Sequence, residues 1–147
     1  MATVNERLVN IRVATEGDYN LFNDIYKKGV DLGFESVGGN KRDYPREDYL
    51  KNDTVLLAEE DGKIIGYAMI YCTDKMPGVC IINDFYCTKW YGEAGEKLVE
   101  AIKEAAKESG LTRIRVDTYT MEMESFWMRK RFRSVDNTAC YELVLNT

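Results

Sequence analysis

The stretch VCIINDFYCTKWYGEAGEKLVEAIKEAAKE, residues 79–108, decides the fold of this chain. Its first nine residues are almost all apolar or aromatic, which is typical of a buried strand. Its last seventeen, Gly92 to Glu108, place Leu98, Ile102 and Ala106 at four-residue intervals and predict an amphipathic helix. A short loop lies between the two. The stretch therefore predicts a strand, a loop and a long helix in direct succession.

Upstream of this stretch, an Asp-Gly turn joins two strand-like runs. Thr54 to Glu59 and Lys63 to Cys72 flank Glu60-Asp61-Gly62, and this pattern is the strongest short-range signal for a β-hairpin. The N-terminal part adds a strand at Asn10 to Thr15, a helix that Thr15 caps and that runs to about Lys28, an irregular loop, and a short helix at Arg46 to Lys51.

Downstream, the chain alternates strands and helices. The predicted elements are a strand at Arg113 to Tyr119, a helix at Glu122 to Arg131 and a strand at Thr138 to Leu145. The order β-α-(α)-β-β-β-α-β-α-β predicts an α/β (α+β) mixed sheet with helices on both faces. A length of 147 residues corresponds to one domain, so we expect a single domain over residues 1–147.

Composition narrows the function classes. Twenty basic and 25 acidic residues give a net charge of −5, which disfavours nucleic acid as a partner and favours a cationic small molecule or basic peptide. The chain has no histidine, which excludes histidine-based triads and proton shuttles. Its apolar runs are too short for a membrane span, so we expect a cytoplasmic protein without a membrane partner.

Four cysteines, Cys72, Cys80, Cys87 and Cys140, lie in apolar, strand-like runs without a C-x-x-C pair. This spacing favours small buried hydrophobic residues in a reducing compartment over a zinc site or a disulfide framework. We therefore predict no metal site.

The element order and the residues after the predicted central strand resemble the GNAT N-acetyltransferase superfamily. In that family the loop carries Q/R-x-x-G-x-G/A, and backbone N–H groups of the loop and of the helix N-terminus hold the pyrophosphate of acetyl-CoA. Here Lys89-x-x-Gly92-x-Ala94 approximates the motif, with lysine in the first position. In a second register, the motif ends at Gly95 and places Glu93 at the first glycine position.

The resemblance implies acetyl-CoA as co-substrate and a set of residues that bind it. In the family geometry the central strand splays from its neighbour, and pantetheine pairs with the strand backbone in the gap. The implied cofactor-binding residues are Phe85, Tyr86, Cys87, Lys89, Gly92, Glu93, Ala94 and Gly95. The other interpretation is that Gly92 is a turn glycine and Glu93 an ordinary first-turn acid.

A second resemblance lies in residues 120–132. The family often carries N-x-x-A-x-x-F-Y-x-K-x-G-F, in which the tyrosine can protonate the departing CoA thiolate. The alignment places Phe126 and Phe132 at the phenylalanine positions, Trp127 at the tyrosine position and Arg131 at the glycine position. An indole N–H cannot act as a general acid near neutral pH, so Trp127 is not the acid. Phe126 by itself is typical of a core residue.

For the base, the family often uses a carboxylate near the strand that precedes the phosphate loop. Asp84 occupies that position, and alternation places it on the face opposite Asn83 and Phe85 unless a bulge intervenes. Burial among apolar neighbours would make it a better proton acceptor. The alternative is a solvent-facing or salt-bridged aspartate, and Asp117 and Tyr119 are weaker candidates for the same role.

The resemblance therefore implies acetyl transfer from acetyl-CoA to a primary amine of a small molecule or peptide. The alternative is a catalytically impaired module with the same fold that binds a ligand or a protein partner. The segment after the first helix interleaves acids such as Glu35 and Asp43 with aromatic residues, which suits a cationic acceptor, although a solvated loop is the plainer interpretation. The resemblance also allows a homodimer.

Overall fold

One mixed β-sheet organises the part of the chain that the computed structural model describes, residues 9–31, 53–87, 92–118 and 121–145. Its strands are β1 (Val9–Val13), β2 (Thr54–Glu60), β3 (Lys63–Tyr71), β4 (Val79–Cys87), β5 (Arg113–Asp117), β6 (Arg133–Ser134) and β7 (Cys140–Val144). Their order in the sheet is β1-β2-β3-β4-β5-β7-β6. The β4–β5 pair is parallel, and the other neighbouring pairs are antiparallel.

Helices cover both faces of the sheet, which confirms the predicted mixed α/β architecture. They are α1 (Tyr19–Asp31), α2 (Glu93–Glu108) and α3 (Met121–Arg129), and a 3-10 turn at Glu16–Asp18 precedes α1. In the described ranges, none of the helices combines the length and the apolar character that crossing a bilayer requires.

Local sequence explains where several elements begin and end. Asp61 and Gly62 both have positive φ, 53° and 76°, as a two-residue type I′ turn requires, and the predicted hairpin of β2 and β3 is confirmed. Gly92 is the N-cap of α2, and Gly110, with φ of 75°, follows its last turn. The Thr15 backbone N–H donates to Asp18 Oδ2 at 2.8 Å, which completes the predicted cap before α1.

Two apolar layers sandwich the sheet. On one face, α2 contributes Leu98 and Ile102, and α3 contributes Phe126 and Trp127; all four are at most 2% exposed. On the other face, α1 contributes aromatic side chains that pack against an aromatic group of β3 and β4. The helical spacing of apolar residues predicted the buried face of α2. In α1 it predicted Phe22, Ile25 and Tyr26 correctly, but Leu21 at the same spacing is exposed.

The structure differs from the sequence prediction in several places. The pair Arg133–Ser134 forms β6, which is too short to produce an alternation pattern. The last strand is shorter than predicted, and α1 continues to Asp31. Cys72 is exposed just beyond the end of β3, so the prediction of a buried hydrophobic residue is wrong there. The predicted helix at residues 46–51 lies outside the described residues.

Candidate active site

A β-bulge in β4 sets the orientation of the candidate base. Met69 pairs with Asp84, but the next residue of β3, Ile70, pairs with Ile82, so Asn83 is an extra residue in β4. Asp84 faces the side covered by α1, whereas Phe85 and Ile82 belong to the layer under α2. As predicted, the side chains of Asp84 and Phe85 lie on opposite faces of the sheet. The bulge moves Ile82 to the face opposite Asp84, which strict alternation would not do.

Asp84 is buried, at 4% exposure, and two donors hold its carboxylate. Tyr67 on β3 donates its phenolic O–H to Oδ2 at 2.8 Å, and the backbone N–H of Phe85 donates to Oδ1 at 2.8 Å. Both carboxylate oxygens are therefore fixed in position. A carboxylate has acceptors only, and both contacts use them.

Aromatic rings surround this carboxylate on the α1 side. Tyr67 contacts Phe22 edge-on at 5.3 Å between ring centroids, and it contacts Tyr26 and Tyr86 at 6.1 Å. All four rings are at most 4% exposed. Burial raises the pKa of the Tyr86 phenol above its ordinary value, and the neighbouring Cys87 thiol adds to that shift. The Tyr86 phenol therefore loses its proton less readily than a solvent-exposed tyrosine.

The bulged residue itself has a polar partner. Asn83 donates its side-chain N–H to Asp53 Oδ2 at 2.9 Å, and both side chains are half-buried. Burial raises the pKa of Asp53, while the hydrogen bond from Asn83 opposes the shift. This bond links the bulge to the residue just before β2 and stabilises the local register on which the direction of Asp84 depends.

The parallel ladder between β4 and β5 ends next to Asp84. Its last pair is Ile82 with Val116, although β4 continues to Cys87 along β3 and β5 continues to Asp117 along β7. Phe85, Tyr86 and Cys87, the residues predicted to bind pantetheine, all follow that point in β4. The chain then leads through residues 88–91 to the N-cap of α2.

The first turn of α2 has the polarity that an anion site requires. Its backbone N–H groups and the helix dipole favour a negative ligand. Glu93 forms an ion pair with Lys97 at 2.9 Å, one turn further along the helix. Ala94 and Gly95 are buried against the sheet. Lys89 lies outside the described residues, so its predicted contact with phosphate remains a prediction.

Trp127 occupies the position of the family tyrosine and is fully buried. Its ring contacts Phe85, Phe126 and Phe132 edge-on at 4.9–5.0 Å between centroids. Its Nε1 has no hydrogen-bond partner among the described residues. An unsatisfied buried donor costs roughly 1–3 kcal/mol. Through its contact with Phe85, Trp127 links α3 directly to β4. Phe126 is a core residue, as its sequence context indicated.

The sequence analysis named Asp84 and the residues that follow it in β4 as candidate site residues, but it missed Tyr67. In the sequence, Tyr67 is an ordinary apolar residue of a hairpin strand. Its partnership with Asp84 depends on the β3–β4 register, which the bulge at Asn83 sets. Of the weaker candidates, Asp117 is an exposed residue at the end of β5, and Tyr119 lies outside the described residues. Within the described ranges no cluster of three cysteine or acidic side chains forms a metal site.

Comparison with known proteins gives a family. The sequence model of the Acetyltransferase (GNAT) family matches residues 19–133. A search of curated proteins gives no match.

Solved structures of acetyltransferases share the fold of this chain. An acetyltransferase of the GNAT family from Staphylococcus aureus Mu50 aligns with a TM-score of 0.73 and 17% identity, over 95% of this chain and 100% of the other. YncA from Salmonella typhimurium, solved with its cofactor acetyl-CoA, aligns with a TM-score of 0.69 and 18% identity, over 94% of each chain. PaiA N-acetyltransferase from Thermoplasma acidophilum, in complex with coenzyme A, aligns with a TM-score of 0.67 and 13% identity, over 95% and 99%.

Proposed function

The chain belongs to the GNAT acetyltransferase family, and from that membership we propose that it transfers the acetyl group of acetyl-CoA to a primary amine of a small molecule or peptide. Acetyl transfer is the chemistry of the family. The assignment of a primary amine as the acceptor is our proposal. The observation that carries the proposal is the buried carboxylate of Asp84. Tyr67 and the Phe85 backbone hold it beside the end of the β4–β5 ladder.

We assign acetyl-CoA to the end of β4 and the N-terminus of α2. The pantetheine arm would run along the backbone of Phe85, Tyr86 and Cys87, where β4 has left the ladder with β5. The pyrophosphate would lie at the Gly92 cap, where the helix dipole favours it. Glu93 is paired with Lys97, which offsets the repulsion that an isolated carboxylate would exert on a phosphate.

The cofactor assignment is tested with Gly92→Asp, which adds a side chain and a negative charge at the cap. Acetyl-CoA at a hundred times its dissociation constant should stabilise the wild type by about 2.7 kcal/mol. For a chain of this size, that corresponds to a rise in Tm of roughly 5–11 °C. Gly92→Asp should remove the rise while changing the free protein little.

The matched control is Asn20→Asp, which adds the same charge at an exposed position in the first turn of α1. It should keep the full rise in Tm. If the wild type shows no shift at millimolar acetyl-CoA, the chain is a non-catalytic module of the same fold. If Gly92→Asp keeps the full shift, the phosphates bind elsewhere.

We assign Asp84 as the base, acting directly or through a water molecule. The acceptor ammonium gives a proton to Asp84, and the neutral amine then attacks the thioester carbonyl. A C–N bond forms and the C–S bond breaks. The nitrogen loses its second proton, and the leaving thiolate takes up a proton, directly or through water. We place the donor that polarises the carbonyl in the β4 backbone beyond Phe85, because the Phe85 N–H is already donated to Asp84.

Three variants test the base. Asp84→Asn should lower kcat by about 10²–10⁴-fold and remove the acid limb of the pH–rate profile. Tyr67→Phe removes one donor to the carboxylate, so it should lower kcat less and move the acid limb to higher pH. Tyr71→Phe, a tyrosine four residues along the same strand at the other end of the sheet, is the control and should behave as wild type. Unchanged kinetics in Asp84→Asn would move the base to another group or to solvent.

The acceptor is proposed from charge alone, because residues 32–52 lie outside the described ranges. Acids such as Glu35 and Asp43 among aromatic residues suit a cationic amine. A panel of polyamines, aminoglycosides and peptides with free N-termini, assayed by CoA release, tests this. Glu35→Lys should weaken the cationic acceptors, and less so at high salt. The control Glu104→Lys makes the same charge change at an exposed site on α2. Preference for anionic acceptors would contradict the assignment.

A further inference from the structure

A cavity of about 250 Å³ lies at the end of the sheet opposite the Gly92 cap. Its wall includes Ile70 at the end of β3, Cys72 just beyond it, Cys80 at the start of β4, and Ala106 and Leu111 near the end of α2. Acetyl transfer as proposed above uses none of these residues. The two sulfur atoms are the reactive groups on this wall.

Continued by one residue, the sheet register brings the two thiols opposite each other. In the β3–β4 ladder Ile70 pairs with Ile82 and Tyr71 with Ile81. Cys72 and Cys80 lie one residue beyond this last pair, where continuation of the same register would place them opposite each other. Both side chains line the same cavity and therefore point to the same side of the hairpin. Opposite residues of antiparallel strands have Cα atoms about 4.5–5.5 Å apart. This separation lies within the range of about 4.4–6.8 Å that a disulfide spans.

The two cysteines differ in exposure. Cys72 is exposed, whereas Cys80 is 3% exposed. Burial raises the pKa of the Cys80 thiol to about 12, and the negative charge of a Cys72 thiolate adds to the shift. This second cause agrees with the short separation that the register implies, because charges act on each other's pKa over short distances.

We propose that Cys72 and Cys80 are a redox pair that a low-molecular-weight disulfide, such as glutathione disulfide, converts to a cross-strand disulfide. The Cys72 thiolate attacks glutathione disulfide, forms a mixed disulfide and releases one glutathione. The Cys80 thiolate then attacks the Cys72 sulfur, breaks the mixed disulfide and releases the second glutathione. Two cysteine thiols are oxidised and one glutathione disulfide is reduced to two thiols, which take up the two protons.

The exposure of the two residues fixes their order of reaction. Cys72 is accessible to the oxidant and reacts first. Cys80 lies at the wall of the cavity and resolves the mixed disulfide. Because only the thiolate attacks and the Cys80 thiol ionises at high pH, the second step is slow near neutrality. At pH values below that pKa, each increase of one pH unit raises the Cys80 thiolate fraction, and with it the rate of the second step, about tenfold.

The test incubates the folded protein with glutathione disulfide at about pH 8.5, where resolution is faster than at neutrality. Free thiols are then blocked, and the products are measured by intact mass and by peptide mapping. The wild type should lose two thiols, keep no glutathione and yield a peptide that links Cys72 to Cys80. Cys80→Ser should keep one glutathione on Cys72, and Cys72→Ser should keep none.

Cys140→Ser is the matched control, because it removes a buried thiol on β7 that does not line the cavity. It should form the same linked peptide as the wild type. The proposal is overturned if the wild type retains glutathione on Cys72 as Cys80→Ser does, or if mapping finds links to Cys87 or Cys140 instead. If Cys80→Ser does not fold, the wild-type map and Cys72→Ser decide the question. The thiol readout is independent of acetyl transfer.

Discussion

At Gly66, β3 approaches β4 closely beside the proposed acetyl-CoA site. Gly66 pairs with Cys87 across the β3–β4 ladder. A Cβ atom at this position would lie 2.7 Å from the Tyr86 carbonyl oxygen and 2.8 Å from the Cys87 Cβ. Real Cβ atoms do not approach so closely, and the obstructing atoms belong to the backbone or to its first side-chain atom. Gly66→Ala therefore forces the two central strands apart.

Overpacking of this kind costs about 1–3 kcal/mol. For a chain of 147 residues, each kcal/mol lowers Tm by roughly 2–4 °C, so we expect a loss of roughly 2–12 °C. Equilibrium unfolding in urea measures the free energy directly. If acetyl-CoA uses the backbone from Phe85 to Cys87, the variant should also show a smaller thermal shift with acetyl-CoA.

Gly17→Ala is the matched control for this substitution. A Cβ atom at Gly17 would have its nearest contact at 3.7 Å, an ordinary van der Waals distance to Thr15 Oγ1. This variant should stay within about 0.5 kcal/mol of wild type. If Gly66→Ala unfolds at the same urea concentration as Gly17→Ala, the close approach of the strands does not constrain this part of the sheet.

Three further predictions concern an ion pair and two buried side chains. Arg12 pairs with Asp18 at 2.6 Å and lowers the pKa of the Asp18 carboxyl well below its usual range. The ion pair therefore stabilises the fold above about pH 4, and this stabilisation is lost as pH falls further. Asp18→Asn should therefore destabilise by about 1–3 kcal/mol at neutral pH, and urea curves for variant and wild type should converge toward about pH 2. Trp127→Phe should leave kcat within about threefold of wild type, because the indole transfers no proton, and a tenfold loss would contradict this. Leu98→Ala should cost about 2–5 kcal/mol in urea unfolding, whereas the exposed Glu104→Ala should cost less than about 0.5.

Local patterns determined most of the secondary structure. The Asp61-Gly62 pair predicted the hairpin, because few residue pairs adopt positive φ twice in succession. The four-residue spacing of Leu98 and Ile102 predicted α2 and its buried face. The strand–loop–helix succession also supported the resemblance to the family that the comparisons confirmed. Each of these signals lies within a short segment.

The predictions that the structure corrected concern strand pairing or the ends of secondary-structure elements. Cys72 follows the apolar run of β3 but lies beyond the last paired residue, so it is exposed. The short strand Arg133–Ser134 is identified only by its pairing with β7. No sequence pattern of period two or 3.6 reports either feature, because each depends on a neighbouring strand.

The sequence by itself determined the family, the order of the elements and the position of Asp84 in the strand that precedes α2. Only the tertiary structure decided the direction of that carboxylate and its partner. Next to the bulge at Asn83, Asp84 pairs with Met69 of β3. Tyr67, two residues before Met69, donates its phenolic O–H to Asp84 Oδ2. The physical reason is that a register shift of one residue reverses the face of every following side chain, and register depends on contacts between strands that are distant in sequence.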